Sequence, residues 1–131
     1  MKFSTEIAII SAELDSQPKA RNKQRTEALF AHLNERGFNP VPVNGVYKGS
    51  VEQSFLVRLR DESDLLYLED LAFTVFKQES ILVQYSDGHS RLHYGDAVEY
   101  LGKLTELPVT DALKLNSYSY VPSINKYYGV K

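Results

Sequence analysis

The sequence predicts a ferredoxin-like α/β sandwich, in which two helices cover one face of a β-sheet. Three observations predict this fold class. Short runs of β-branched residues alternate with two longer segments of helical periodicity, in the order β-α-β-β-α-β. The length of 131 residues is that of a single domain with a real core. The dipeptide Asp87-Gly88 is typical of a hairpin and adds a further strand after the second helix.

The first half of the chain contains one predicted helix. Asp15 or Ser16 would cap it, and Gly37 would end it. Pro40 and Pro42 flank two valines, a pattern that predicts an edge strand because proline donates no backbone hydrogen bond. The strands predicted in this half lie at residues 7–11, 40–45 and 55–59.

The second half contains another helix, capped by Asp61 or Ser63, with apolar residues at helical spacing up to Phe76. The strands predicted after it lie at residues 81–83, 91–94 and 95–107. We therefore expect a domain over residues 1–110. The tyrosine-rich residues 111–131 are expected to form an irregular tail, packed on that domain or on a neighbouring subunit. Two helices leave the second face of the sheet bare, so an oligomer is expected to cover it.

The composition excludes several classes of function. The chain is 43% hydrophobic and 24% charged, and its net charge of −2 indicates no general affinity for nucleic acid or anionic membranes. It has no cysteine, which excludes disulfides, thiolate nucleophiles and cysteine metal ligands. No signal peptide or membrane-spanning apolar run is evident, so a cytoplasmic location is expected. Phosphate-loop, dinucleotide-binding and serine-nucleophile motifs are absent from the sequence.

Two further groups of side chains, the histidines and a basic run, are considered as binding sites. His32, His89 and His93 have no spacing that would gather them, so we predict surface or edge histidines and no metal site. The basic run from Lys19 to Arg25 begins the first helix, and it is either a solvated helical turn or a contact for phosphate or nucleic acid.

Tyr47 and Glu52 are the most informative residues of the chain. They flank a glycine-rich turn at the mouth of a predicted strand, where a phenol and a carboxylate can hold a cation such as an ammonium group. Gln78, between the second helix and the next strand, is predicted either to belong to the same pocket or to cap the last carbonyls of that helix.

In this order, these pieces resemble the small phage-encoded S-adenosylmethionine lyases, formerly called S-adenosylmethionine hydrolases, and related bacterial proteins. The resemblance covers roughly residues 5 to 95. The matching pieces are Ser11-Ala12 at the end of a strand, the polar helix with Asn22, Gly45-Val46-Tyr47, Glu52 before Ser54-Phe55-Leu56-Val57, and Gln78 before Glu79-Ser80-Ile81-Leu82-Val83. The loop from Tyr47 to Glu52 is shorter than in the lyases.

The resemblance implies an activity and a set of site residues. Tyr47 and Glu52 would be the catalytic residues and hold the substrate's amino group, with Ser11 and Gln78 as further substrate-binding residues. The enzyme would be a homotrimer with the pocket between subunits, it would need no metal or cofactor, and it would reside in the host cytoplasm if encoded by a phage. Its substrate would be S-adenosylmethionine or a derivative such as an adenylylated conjugate (SAM-AMP) that serves as an antiviral signal.

The reaction implied is a lyase reaction, in which the substrate's own carboxylate expels methylthioadenosine and homoserine lactone is left. The alternative is a non-catalytic oligomeric protein that sequesters a nucleotide or a host protein.

Overall fold

The computed structural model describes residues 6–47, 50–115 and 117–130, without the side chain of Tyr47. The strands are β1 (Ile7–Ser11), β2 (Val41–Tyr47), β3 (Ser50–Arg58), β4 (Ser80–Gln84), β5 (His89–Tyr94), β6 (Val98–Leu107), β7 (Ser117–Val121) and β8 (Lys126–Val130). The helices are α1 (Lys19–Glu35), α2 (Glu62–Asp70) and α3 (Val109–Ala112), and a π-helical turn, Leu71–Val75, continues α2.

The eight strands form a closed barrel in the order β1-β3-β2-β7-β8-β6-β5-β4, and every pair is antiparallel. The ferredoxin-like sandwich predicted from the sequence is therefore wrong. The two longer helices and most strands were placed correctly along the chain, but α3 was not predicted and the strand pairing was wrong. Closure removes the free edges that an open sheet would present.

The C-terminal segment accounts for much of the difference, because the irregular tail that we expected contains two strands. Its sequence Ser117-Tyr118-Ser119-Tyr120-Val121 alternates with a period of two, which is the pattern of a strand with unlike faces. A turn containing Asn125, whose φ is 52°, brings β8 back beside β7. The two strands bridge β2 and β6 and complete the barrel.

The placement of β2 corrects a second expectation. β2 is not an edge strand, since it pairs with β3 on one side and with β7 on the other. The edge character inferred from Pro40 and Pro42 holds only for the start of β2, because β7 pairs with residues 44–47 and Pro42 lies outside that stretch. Val43, the neighbour of Pro42, is fully buried.

Helices α1 and α2 pack on the outer side of β1, β3 and β4, where the main core lies. The buried apolar residues of this core include Ala8, Ile10, Leu29, Leu33, Phe55, Val57, Leu68, Ala72, Ile81 and Val83. They alternate along each strand, which leaves the intervening side chains on the inner face of the barrel. The bare sheet face that motivated an oligomer is therefore the inside of the barrel.

The helix ends agree with the sequence only in part. Asp61 caps α2 by accepting a hydrogen bond from the Asp64 N–H at 3.1 Å, as predicted. Gly37 follows α1 with a φ of 88°, which suits glycine. The predicted cap of α1 is wrong, because Pro18 occupies the cap position and no side chain caps the helix. None of the helices in the described ranges is long and apolar enough to cross a membrane.

Candidate active site

The interior of the barrel holds a cavity of about 570 Å³. Eight-stranded barrels are just wide enough to hold one small ligand, and this volume lies within the usual range of ligand pockets. The wall alternates with the core, so that Ile9 and Ser11 line the cavity while Ala8 and Ile10 face the helices. The barrel therefore presents a preformed compartment.

One end of this cavity is acidic and the remainder is largely apolar. The described residues of the wall include Ile9, Leu82, Leu92, Leu101, Leu104 and Val130 as apolar members, Tyr94, Tyr118 and Tyr128 as aromatic ones, and Ser11, Ser54, Ser80, Ser117 and Ser119 as hydroxyls. The charged members are Glu13, Asp15, Glu52 and Glu79, and none of the described wall residues is lysine, arginine or histidine. We call the part formed by these four carboxylates the acidic mouth.

Glu52 is the third residue of β3, opposite Gly45 of β2, so it lies inside the strand and not just before it as the sequence suggested. A Cβ atom at Gly45 would lie 3.6 Å from the Glu52 carbonyl oxygen and 3.6 Å from the Ser54 hydroxyl, both ordinary van der Waals contacts. Glu52 is half-buried, and this burial raises its pKa above the ordinary 4.5. A hydrogen bond with Ser11 lowers the pKa, and the charges of Glu13 and Asp15 raise it further.

Ser11 ends β1 directly across from Ser54 of β3. Its hydroxyl donates to the Gln53 carbonyl at 3.0 Å and accepts from the Glu13 N–H at 3.1 Å. The Glu13 carboxylate accepts from the Gln53 N–H at 2.9 Å. The structure thus brings Ser11, Glu13 and Glu52 together at the mouth.

Gln78 lies at the mouth as well, and its side chain also contacts the end of the preceding helical segment. Its side-chain amide donates to the Glu13 carbonyl at 3.0 Å and reaches the Phe76 carbonyl at 3.5 Å. Its backbone N–H donates to the Ala72 carbonyl at 2.8 Å. Gln78 therefore closes the helical segment and lines the cavity.

Tyr47 is described only in its backbone, which pairs with Ser50 of β3 and Ser117 of β7. Its side chain and the following turn residues 48–49 lie outside the described part of the chain. The role predicted for the phenol stays a prediction.

The remaining candidates lie away from the cavity. Within the basic run, Arg25 donates to the Ala12 carbonyl at 2.7 Å and also to the Phe76 carbonyl, while Lys19, Arg21 and Lys23 are exposed. None of the four lines the cavity.

Three scattered histidines were expected at the surface or at an edge, but His93 is buried between Glu69 (3.1 Å) and Tyr85 (2.8 Å), so that expectation is wrong for it. In the described ranges, no three His, Asp or Glu side chains gather as metal ligands would.

The sequence analysis did not single out Glu13, and it considered Asp15 only as a candidate cap of the first helix. The available signal was their position directly after a buried strand. The residues that follow a strand of a barrel lie at one of the two openings of the barrel, where ligands enter.

Comparison with known proteins gives one match over nearly the whole chain. The model of the family described as "S-Adenosylmethionine lyase family" matches residues 8–131. This range contains every described residue of the cavity wall. No curated protein matches the chain.

Proposed function

The chain belongs to the S-adenosylmethionine lyase family, and we propose that its barrel cavity binds and cleaves S-adenosylmethionine or a close derivative such as SAM-AMP. The products are methylthioadenosine, or its derivative, and homoserine lactone. The family match gives a lyase acting on S-adenosylmethionine; the products, the mechanism and the place of reaction are our proposal.

The acidic mouth is the observation that carries the proposal. S-adenosylmethionine has a sulfonium, an ammonium and one carboxylate, and so bears one net positive charge. Four carboxylates and no described cation in the wall attract such a molecule and disfavour an anion. The apolar and aromatic remainder of the wall offers surface for the adenosyl group.

Glu52 anchors the ammonium of the substrate. Its carboxylate stands inside the wall, half-buried, and the nearby Ser11 hydroxyl lowers its pKa, which helps to keep it ionised. On the basis of the family resemblance, we propose that Tyr47 is a second binding partner of the substrate ammonium. Ser11 and Gln78 complete the binding residues, since both lie at the mouth beside Glu13.

The reaction needs no proton transfer. A lone pair of the substrate carboxylate forms a bond to the γ-carbon, the carbon–sulfur bond breaks, and its electron pair neutralises the sulfonium as methylthioadenosine leaves. The protein contributes by holding the attack conformer, because a correctly oriented intramolecular reaction gains a large effective molarity. An apolar interior favours this step, in which two opposite charges cancel, over attack by water.

The test is incubation of purified protein with S-adenosylmethionine and, separately, with SAM-AMP in water enriched in ¹⁸O, followed by mass spectrometry. We expect methylthioadenosine or its derivative, together with lactone whose ring oxygen carries no ¹⁸O. Label at the γ-oxygen of homoserine would instead reveal direct hydrolysis and overturn the mechanism.

If the ligand is recovered unchanged and bound in stoichiometric amount, the proposed enzymatic activity is wrong. That result would support the alternative, a non-catalytic protein that sequesters its ligand. The two substrates also separate the parent compound from the conjugate. Faster cleavage of SAM-AMP would identify the conjugate as the preferred substrate.

A further inference from the structure

The segment between β1 and α1 is tied down by side chains from elsewhere in the chain. We call residues 12–15 the mouth loop, because Glu13 and Asp15 supply two of the four carboxylates. Arg25 binds the Ala12 carbonyl at 2.7 Å, and Gln78 binds the Glu13 carbonyl at 3.0 Å. A loop without regular structure is thereby given a defined position.

Asn22 makes the most complete of these contacts. Its Oδ1 accepts from the Leu14 N–H, and its Nδ2 donates to the Leu14 carbonyl, both at 2.9 Å. The Nδ2 group also reaches the Gln17 carbonyl at 3.4 Å. Both polar groups of one backbone residue are thus held by one side-chain amide. Asparagine is a poor helix former, and so its presence in the first turn of α1 is explained by the loop rather than by the helix.

The position of Leu14 affects the surroundings of Glu52 through the intervening residue Glu13. The Glu13 carboxylate binds the N–H of Gln53, the residue after Glu52, at 2.9 Å. The Glu13 N–H binds the Ser11 hydroxyl at 3.1 Å. If Leu14 shifts, Glu13 shifts with it, and the distance between the Glu13 and Glu52 carboxylates changes. The spacing of charges in the acidic mouth therefore depends on a residue that does not line the cavity.

We propose that Asn22 is a positioning residue, which fixes the mouth loop so that Glu13 stands at a set distance from Glu52. This inference rests on the proposed function for its catalytic consequence. A displacement of about 1 Å in a positioning element can lower a rate by up to about a hundredfold. Since Arg25 and Gln78 still restrain the loop without Asn22, we expect a smaller loss, of about tenfold.

Asn22→Leu is the variant of choice, because leucine has a similar size, favours helix and can form neither hydrogen bond. We expect kcat to fall about tenfold and KM to change about threefold or less, because Glu52 keeps its charge while the attack conformer is held less well. The acid limb of the kcat/KM profile should also shift, because the distance between the Glu13 and Glu52 carboxylates sets the repulsion between them. Mere loss of stability would lower the apparent kcat only in proportion to the folded fraction and would leave the acid limb in place.

Thr26→Val is the matched control. Thr26 lies one turn further along α1, and its buried hydroxyl has no hydrogen-bond partner within the described ranges. The change is nearly isosteric, leaves the mouth loop untouched and should preserve wild-type kcat, KM and pH profile. Wild-type kcat and acid limb in a folded Asn22→Leu protein would overturn the proposal. So would a loss of activity that only follows the folded fraction.

Hydrogen exchange separates a failure of this inference from a failure of the proposed function. The Leu14 amide should exchange at least tenfold faster in Asn22→Leu than in wild type or Thr26→Val, because its acceptor has been removed. If the wild-type chain leaves S-adenosylmethionine intact, the proposed function fails, and this exchange still decides the structural role. Unchanged exchange at Leu14 would overturn the positioning role whatever the activity.

Discussion

Replacing Glu52 by glutamine should lower activity without lowering stability. The amide keeps the size of the carboxylate and most of its hydrogen-bonding capacity, but it cannot pair with an ammonium as an ion. A hydrogen bond to a charged group contributes about 1.5 to 3 kcal/mol, which corresponds to roughly a 10- to 150-fold loss in kcat/KM. Because Glu13 and Asp15 remain at the mouth, part of the attraction persists, and the lower half of this range is expected.

The expected effect on stability has the opposite sign. Burial and the charges of Glu13 and Asp15 raise the pKa of Glu52 in the folded chain. A carboxyl group whose pKa is raised by folding favours the fold at low pH and loses that contribution as the pH rises through the folded pKa. At neutral pH the ionised Glu52 therefore costs stability, and Glu52→Gln should unfold at the same or a higher temperature than wild type.

The assay compares kcat/KM for S-adenosylmethionine, from the rate of methylthioadenosine formation, with the thermal midpoint at neutral pH. Glu27→Gln is the matched control, since it makes the same chemical change at an exposed position of α1 away from the cavity. Wild-type kcat/KM in a folded Glu52→Gln protein would refute the ammonium role. A large drop in its thermal midpoint would refute the electrostatic reasoning.

Two further predictions concern the titration of the mouth and the assembly of the protein. The acid limb of kcat/KM should lie above pH 4.5, because Glu52 must be ionised and its pKa is raised from that value; a limb below pH 4.5 would contradict this. Ser11→Ala should move the limb to higher pH by removing the hydrogen bond that lowers the pKa of Glu52, and Glu13→Gln should move it to lower pH by removing a neighbouring charge. The homotrimer implied by the family resemblance predicts a light-scattering mass near three chains, whereas a monodisperse monomer at micromolar concentration would exclude a pocket shared between subunits.

Much of the local structure could be predicted from the sequence, because helices and turns depend on residues close together in the chain. The cap at Asp61, the left-handed Gly37 after α1 and the hairpin at Asp87-Gly88 all follow from short-range chemistry. The family could be recognised for the same reason, since its motifs are short segments in a set order. Their presence in this order needs no knowledge of which strands pair.

The barrel could not be predicted, because strand pairing joins residues far apart and a strand pattern does not name its partner. The pairs β1 with β4, β2 with β7 and β6 with β8 close the sheet. The sequence of β7 has the alternation of a strand, but that pattern does not identify β2 and β8 as its partners. Only closure shows that Ser119 and Tyr128 face an interior rather than solvent.

The sequence by itself determined the helices, the positions of most strands, the family and the choice of Glu52 as a candidate. The tertiary structure decided what surrounds Glu52. Glu13 lies forty positions before Gln53 in the chain, and their contact brings a second carboxylate beside Glu52, which contributes to the raised pKa of Glu52. Coulomb energy depends on distance in space and on local burial, and neither quantity can be read from the order of residues along a strand.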